Sequence, residues 1–377
     1  MSWAALVSAA LVSAALLELA PIPFAWIGLS WAALLFWLAW RLPGRTTRVA
    51  LFNLAFAPLA FGGFEIYLGT RTRPHGDPDI PAAYTVRDDV VGHRIAAGVS
   101  VRHALWLGAE PIFDAVYTIG PDGLRVVPAQ RADGDGLCVL FFVDSFIFGW
   151  GLDDDETIPW RTALLTGGRN RIYNFAYLGW GAHQMLALLQ SGRVEEVVDC
   201  APTHVLYYSI YDHVQRAAGR SPYDPHGPRF ELREDGALER RGNFDDEPGF
   251  VQRWPRLAKS FVLRILAEDF EPEPADFDRF AAIVAASRDF LTQRWPGVQF
   301  HALVWDKRWK QDPAYWEGLE RRGIAVHFIS EILPDYREDP LRYALGPHDG
   351  HPNAHANERI ARWFVREILG EDRSGSP

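Results

Sequence analysis

The sequence predicts an α/β domain, a parallel sheet with helices on both faces, preceded by three membrane-spanning helices and a small β-rich segment. Three observations carry this. From residue 136 onward apolar strand-like runs alternate with helix-like segments, the order that builds a doubly covered parallel sheet. The run 137–143 has no polar alternation, as expected of a strand buried on both faces. Residues 3–20, 21–40 and 49–69 are three apolar stretches, each close to the ~20 residues that cross a bilayer. The implied division is an anchor at 1–73, a β-rich linker at 74–134, and an α/β domain at 135–377 with an insertion near 219–270.

Taken in order, the loop 41–48 between the second and third spans holds three arginines in eight residues, whereas the turn near Pro21 and Pro23 holds none. By the positive-inside rule that loop is cytoplasmic. The amino terminus is then also inside and the bulk of the chain lies outside, which describes a multi-pass protein of the inner (plasma) membrane. No Lys or Arg precedes Arg41, so the first stretch lacks the charged start of a cleaved signal peptide. Glu18 and Glu65 fall near span ends, where a carboxylate reaches the interface, and Pro58 is placed to kink the third span. Residues 1–74 hold five arginines and two glutamates with no lysine or aspartate, a net of +3; subtracting that from the whole-chain −10 leaves −13 for the remaining 303 residues. An acidic external part argues against nucleic acid as a partner and leaves the lipid bilayer and an acylated small molecule or glycan.

Within 74–134, the pieces 115–119 and 124–127 flank Gly120-Pro121-Asp122-Gly123 and predict short strands. This segment either packs on the sheet edge or forms part of a cleft. Beyond it the pattern predicts strands at 137–143, 171–175, 204–210, 298–305 and 324–330, and helices near 156–166, 182–192, 275–295, 313–322 and 354–369. A hairpin at 229–233 and 238–241 interrupts the order inside the insertion. The run Asp153-Asp154-Asp155-Glu156 lacks the alternating ligands of a calcium loop and is read as a solvated helix start favoured by the helix dipole. No metal or cofactor is called for. Cys138 and Cys200 are read as buried small residues rather than as a bridge.

The first strand ends at Asp144-Ser145 followed by Phe146-Ile147-Phe148-Gly149. A serine there stands at the carboxyl end of a strand, where open α/β sheets bind ligands and where a base and free backbone N–H groups can activate it. Two hundred residues on, His348-Asp349-Gly350-His351-Pro352-Asn353 precedes the last helix and puts a base and an orienting carboxylate into one loop. These blocks resemble the SGNH (GDSL-type) hydrolases over about residues 136–370, and the resemblance implies a flavodoxin-like three-layer fold. Val143-Asp144-Ser145-Phe146-Ile147-Phe148-Gly149 looks like the family's first block, with Val143 for the usual glycine; this implies Ser145 as nucleophile and its N–H as an oxyanion donor. Tyr173-Asn174-Phe175-Ala176-Tyr177-Leu178-Gly179 is similar to the second block and implies the Gly179 N–H as another. Ser209-Ile210-Tyr211-Asp212 corresponds to the third, with Tyr211 in place of the side-chain oxyanion donor. The last block implies His351 as base and Asp349 as its partner, with His348 where the family more usually has aspartate. The wider pattern, Gly179-x-Gly181-x-His183-Gln184 and Asp212-His213-Val214-x-Arg216, looks like a membrane-anchored branch. Buried polar groups need partners, so His183 and His213 are read as hydrogen-bonded within the fold rather than catalytic.

The expected activity is a membrane-anchored serine esterase or O-acyltransferase acting on an acylated glycan or envelope molecule through an acyl-enzyme on Ser145. Trp150, Trp160 and Trp180 either stack on sugar rings or pack the core. The alternative, motivated by Tyr211 and His348, is a catalytically degenerate domain acting as a glycan-binding or assembly subunit.

Overall fold

A computed structural model describes residues 24–72, 75–76, 84–107, 109–130, 136–220, 224, 226–246, 260, 262, 272–306 and 312–371. The first predicted span lies outside the described residues. The chain divides into two compact units, residues 1–73 with 253–271, and 74–252 with 272–377.

The first unit contains α1 (Phe24–Arg41) and α2 (Arg45–Thr72), two helices long and apolar enough to cross a membrane. Their polarity is inverted relative to a soluble helix pair. Trp26, Trp37, Trp40, Phe52, Leu54, Phe56 and Phe64 are exposed, while the buried positions of α1 include Ala25, Gly28, Ala32 and Ala39. Small residues let the backbones approach: a Cβ at Gly28 would lie 2.7 Å from the Pro58 carbonyl oxygen. Glu65 does not reach an interface as expected. It is buried and accepts hydrogen bonds from the Ser260 hydroxyl and, at 3.0 Å, from the Val262 N–H. Part of the predicted insertion therefore belongs with the helices, because a carboxylate buried in an apolar pair needs donors.

In the second unit, β1 (Thr85–Asp88) and β2 (Gly92–Ile95) form one antiparallel hairpin, and β3 (Ser100–Leu107) and β4 (Glu110–Thr118) form another. The expected strand at 124–127 is reduced to one bridge between Ile119 and Arg125, because Arg125 turns inward. The main sheet comprises β5 (Cys138–Phe142), β6 (Arg171–Asn174), β7 (His204–Ser209), β10 (Gln299–Val304) and β11 (Ala325–Phe328), in the order β11-β10-β7-β5-β6 and parallel throughout. The hairpin β8 (Pro228–Leu232) and β9 (Leu238–Asn243) stands apart from it. Every residue of β5 and β7 is buried, as their continuous apolar runs require.

This order reverses direction between β5 and β7, and right-handed crossovers then force helices onto opposite faces. On one face α4 (Ile158–Leu165) packs with the final helix α9 (Ala354–Trp363); on the other α5 (Ala182–Gln190), α7 (Pro274–Arg294) and α8 (Ala314–Glu320) pack together. The β-rich segment shares one hydrophobic core with the sheet, through Tyr84, Phe113 and Tyr117, so it is part of the domain rather than a linker.

One expectation is corrected here. Cys138 and Cys200 form a disulfide with Cα atoms 6.1 Å apart. Cys138 begins β5 and Cys200 lies in the connection entering the neighbouring β7, so neither is held inside a strand where the Cβ vectors would diverge. The acidic run is the helix start expected, a single 3-10 turn over Asp154–Glu156 capped by Asp153 and with no residue buried, and it takes on a second task. Asp153 accepts from the Val116 N–H at 2.8 Å and Asp154 from the Thr118 N–H at 3.1 Å, supplying the acceptors that the unpaired side of β4 needs.

Candidate active site

The carboxyl end of β5 delivers Asp144 and Ser145 into a sharp turn. Asp144 caps the single helical turn α3 (Ser145–Phe148) by accepting from the Phe146 N–H at 3.0 Å, and Gly149 closes that turn at φ +88°. A side chain at Gly149 would be strained by that angle and would also place a Cβ 2.5 Å from Thr157 and 2.8 Å from Arg125. This explains the glycine after Phe-x-Phe. Arg125, fully buried, donates to the carbonyls of Phe148 (2.6 Å), Gly149 (2.7 Å) and Leu152 (2.6 Å) and pairs with Asp154 at 3.0 Å. It gathers the turn's carbonyls around one cation, a role that nothing in the sequence around residue 125 signalled.

Below this turn Asp144 is completely buried, 3.1 Å from His213 Nε2 and 3.5 Å from Arg216. Burial pushes its pKa up, but the His213 hydrogen bond and the Arg216 charge outweigh that and hold it below the usual carboxylate range. Burial conversely lowers the pKa of His213. A neutral His213 fits its partners: Nε2 donates to Asp144 and Nδ1 accepts from the Tyr207 hydroxyl at 2.9 Å. His213 has both ring nitrogens partnered inside the fold, and the equally buried His183 meets Asp224 through Nε2 at 2.8 Å.

The base arrives on a hairpin rather than a loop. β12 (Ala344–Gly346) pairs with β13 (Asp349–Pro352). Alternate residues of a strand share a face, so Asp349 and His351 lie side by side while His348, three positions back from His351, does not; it sits 3.5 Å from Glu110 instead. Asp349 Oδ1 is 2.6 Å from His351 Nδ1 and accepts the His351 N–H at 2.9 Å. His351 Nε2 is 2.8 Å from Ser145 Oγ. The second oxygen of Asp349 accepts from the Trp150 indole N–H at 2.9 Å. Burial opposes ionisation of Asp349, yet the His351 and Trp150 donors hold its pKa below the usual range. The imidazole packs on Phe146, ring centroids 5.0 Å apart.

The two backbone N–H groups expected to act as oxyanion donors, those of Ser145 and Gly179, are both open. Ser145 opens its helical turn, Gly179 sits in the turn after β6 at φ +77°, and among the described residues neither N–H is taken by an acceptor. Tyr211, just before α6 (Asp212–Ala217), has its ring edge-on against Phe277 and Tyr315. The tryptophans are used internally: Trp150 packs on His103 and Phe113 and serves Asp349, and Trp180 is buried with its N–H on the His93 carbonyl at 2.9 Å. Trp160 is half-buried at the start of α4.

No family model and no curated protein matches this sequence. Solved structures similar to it include an acetyl xylan esterase (Est2A) from the rumen bacterium Butyrivibrio proteoclasticus, at 12% identity and TM-score 0.35, covering 68% of this chain and 67% of that one. A carbohydrate esterase family 2 enzyme with a carbohydrate-binding domain, from Corynascus thermopiles (Myceliophthora fergusii), matches at 14% identity and TM-score 0.33 over 68% and 71%. LAE5, an alpha/beta hydrolase from the metagenome of Lake Arreo, Spain, matches at 15% identity and TM-score 0.33 over 62% and 94%. These distant likenesses leave family and activity to be read from the site itself.

Proposed function

We propose that this protein is a membrane-anchored serine esterase or O-acyltransferase of the SGNH type. The observation that carries the reading is the chain of hydrogen bonds from Asp349 through His351 to Ser145 Oγ, at the heavy-atom distances proton transfer needs. Ser145 Oγ attacks an ester carbonyl as its proton passes to His351 Nε2, while Asp349 fixes the tautomer and stabilises the imidazolium. The carbonyl oxygen, now an oxyanion, is met by the N–H groups of Ser145 and Gly179, with Tyr211 the third expected donor. Collapse breaks the ester C–O bond, and His351 returns the proton to the leaving alcohol. Water or an acceptor hydroxyl then attacks the acyl-Ser145, losing its proton to His351; the acyl–Oγ bond breaks and His351 returns that proton to Ser145, so hydrolysis and transfer share every residue.

The outward-facing apolar side chains of α1 and α2 support an anchor with the arginine-bearing connection inside and the α/β domain outside. The disulfide supports the same sidedness, since such bonds persist in oxidising compartments. Lateral position at a membrane favours an acylated glycan or other envelope molecule as substrate. The test is labelling of the full-length protein with a fluorophosphonate, read by intact mass, beside Ser145→Ala and His351→Ala. An adduct that needs both residues is expected. No adduct on folded wild type would sink this reading in favour of a non-catalytic binding or assembly subunit.

A further inference from the structure

The turn 178–181 that carries Gly179 is held from the β-rich segment. His93 in β2 places Nε2 2.9 Å from the Leu178 carbonyl oxygen. That oxygen only accepts, so Nε2 carries the proton. The carbonyl of Leu178 and the N–H of Gly179 belong to one planar trans peptide and point in opposite directions; pinning the first aims the second. His93 also holds the other side of Gly179, since its own carbonyl accepts from the Trp180 indole N–H, and its ring packs on Tyr177 at 5.5 Å.

Behind His93 is a buried support. Its Nδ1 lies 3.6 Å from one oxygen of Asp224, whose other oxygen is shared by His183 Nε2 at 2.8 Å and the Gln184 amide. Gln184 in turn accepts from the Gly181 N–H at 2.7 Å, and Arg216 donates to the Trp180 carbonyl at 2.5 Å. Burial works against a charged His93, but the Asp224 carboxylate beside it outweighs that and raises the imidazole's pKa.

We propose that His93 is a positioning residue of this site: by donating from Nε2 to the Leu178 carbonyl it sets the 178–179 peptide so that the Gly179 N–H faces the developing oxyanion. The inference rests on the acyl-enzyme reading above. Its physical ground is that donors contribute to catalysis only when already oriented at the charge, and that a bond to a peptide carbonyl polarises the N–H of the same amide. A peptide flip would break the His93 bond and turn a carbonyl dipole toward the oxyanion.

The test compares His93→Leu, which fills the space without donating, with His93→Gln, whose amide nitrogen stands in for Nε2. Both are made in the full-length protein in detergent and assayed with p-nitrophenyl acetate and a fluorophosphonate. His93→Leu should lower kcat and the phosphonylation rate about 10- to 100-fold with KM within about threefold, and His93→Gln should return to within about threefold of wild type. A folded leucine variant with wild-type kcat, or a glutamine variant as slow as leucine, overturns the proposal; His93→Ala replaces leucine should that variant not fold. Failure of the underlying reading is distinct, because wild type itself would then show no Ser145-dependent labelling.

Discussion

Trp150→Phe isolates the indole donor on Asp349 while keeping an aromatic ring against His103 and Phe113. The hydrogen bond it removes is 2.9 Å long and ends on a carboxylate whose side chain is 11% exposed. Hydrogen bonds to charged groups contribute about 1.5–3 kcal/mol. The smaller ring adds a packing loss of about 1 kcal/mol at the cost of residual cavity volume. The two parts separate by pH. The folded-state pKa of Asp349 is depressed, so its stabilisation is fully present above the unfolded value of about 3.9 and is lost as pH falls through the folded value. In the variant the carboxylate has one donor fewer and its folded pKa rises, so the gap from wild type narrows in acid toward the packing loss alone. Urea unfolding of the full-length protein at pH 7, 5 and 3, followed by near-UV circular dichroism, should give a difference of about 2.5–4 kcal/mol at the first two values and a smaller one at the last. A difference that stays the same from pH 7 to pH 3 would refute the assignment of the indole as a donor to an ionised Asp349.

Asp144→Asn keeps the cap on α3 but leaves Arg216 buried without its counter-charge, and should cost about 3–5 kcal/mol; a thermal midpoint within error of wild type would show that the Asp144, His213 and Arg216 cluster is not ionic. Cys138 and Cys200 are 62 residues apart in sequence, a loop whose closure corresponds to about 4 kcal/mol. Cys200→Ser should lower the thermal midpoint accordingly, and two free thiols titrated in native, unreduced protein would contradict the bridge. Tyr211→Phe should leave kcat within about threefold of wild type if the two backbone N–H groups carry the charge, whereas a loss of about 10²-fold or more would assign the tyrosine hydroxyl as a third donor.

Much of the sheet could be read along the chain because a strand covered on both faces must be continuously apolar. The runs predicted at 137–143 and 204–210 became β5 and β7 with ends shifted by a residue or two, and Ser145 stands where the first run stops. Asp349 and His351 were named from a short motif; that Asp349 rather than residue 348 faces the base follows from the β13 strand, on which alternate residues share a face. What escaped were partners distant in sequence. Arg125 and His93 lie in segments with no motif, and Trp150, read as a sugar-stacking or core residue, instead donates to Asp349; these partners are set by the atoms they meet across the fold. The Cys138–Cys200 bridge is not legible along the chain because it depends on which strands are neighbours.

The sequence by itself determined what local chemistry determines: which segments are apolar enough to be spans or buried strands, where the chain turns, and which side chains are able to act as nucleophile, base and acid. Tertiary structure decided which of these meet. It alone set the order β11-β10-β7-β5-β6, brought residue 351 to within 2.8 Å of residue 145, and placed a β-rich segment beside the Gly179 turn. Periodicity and propensity act over a few residues, whereas hydrogen-bond geometry, burial and charge pairing depend on distances that only the packed chain defines.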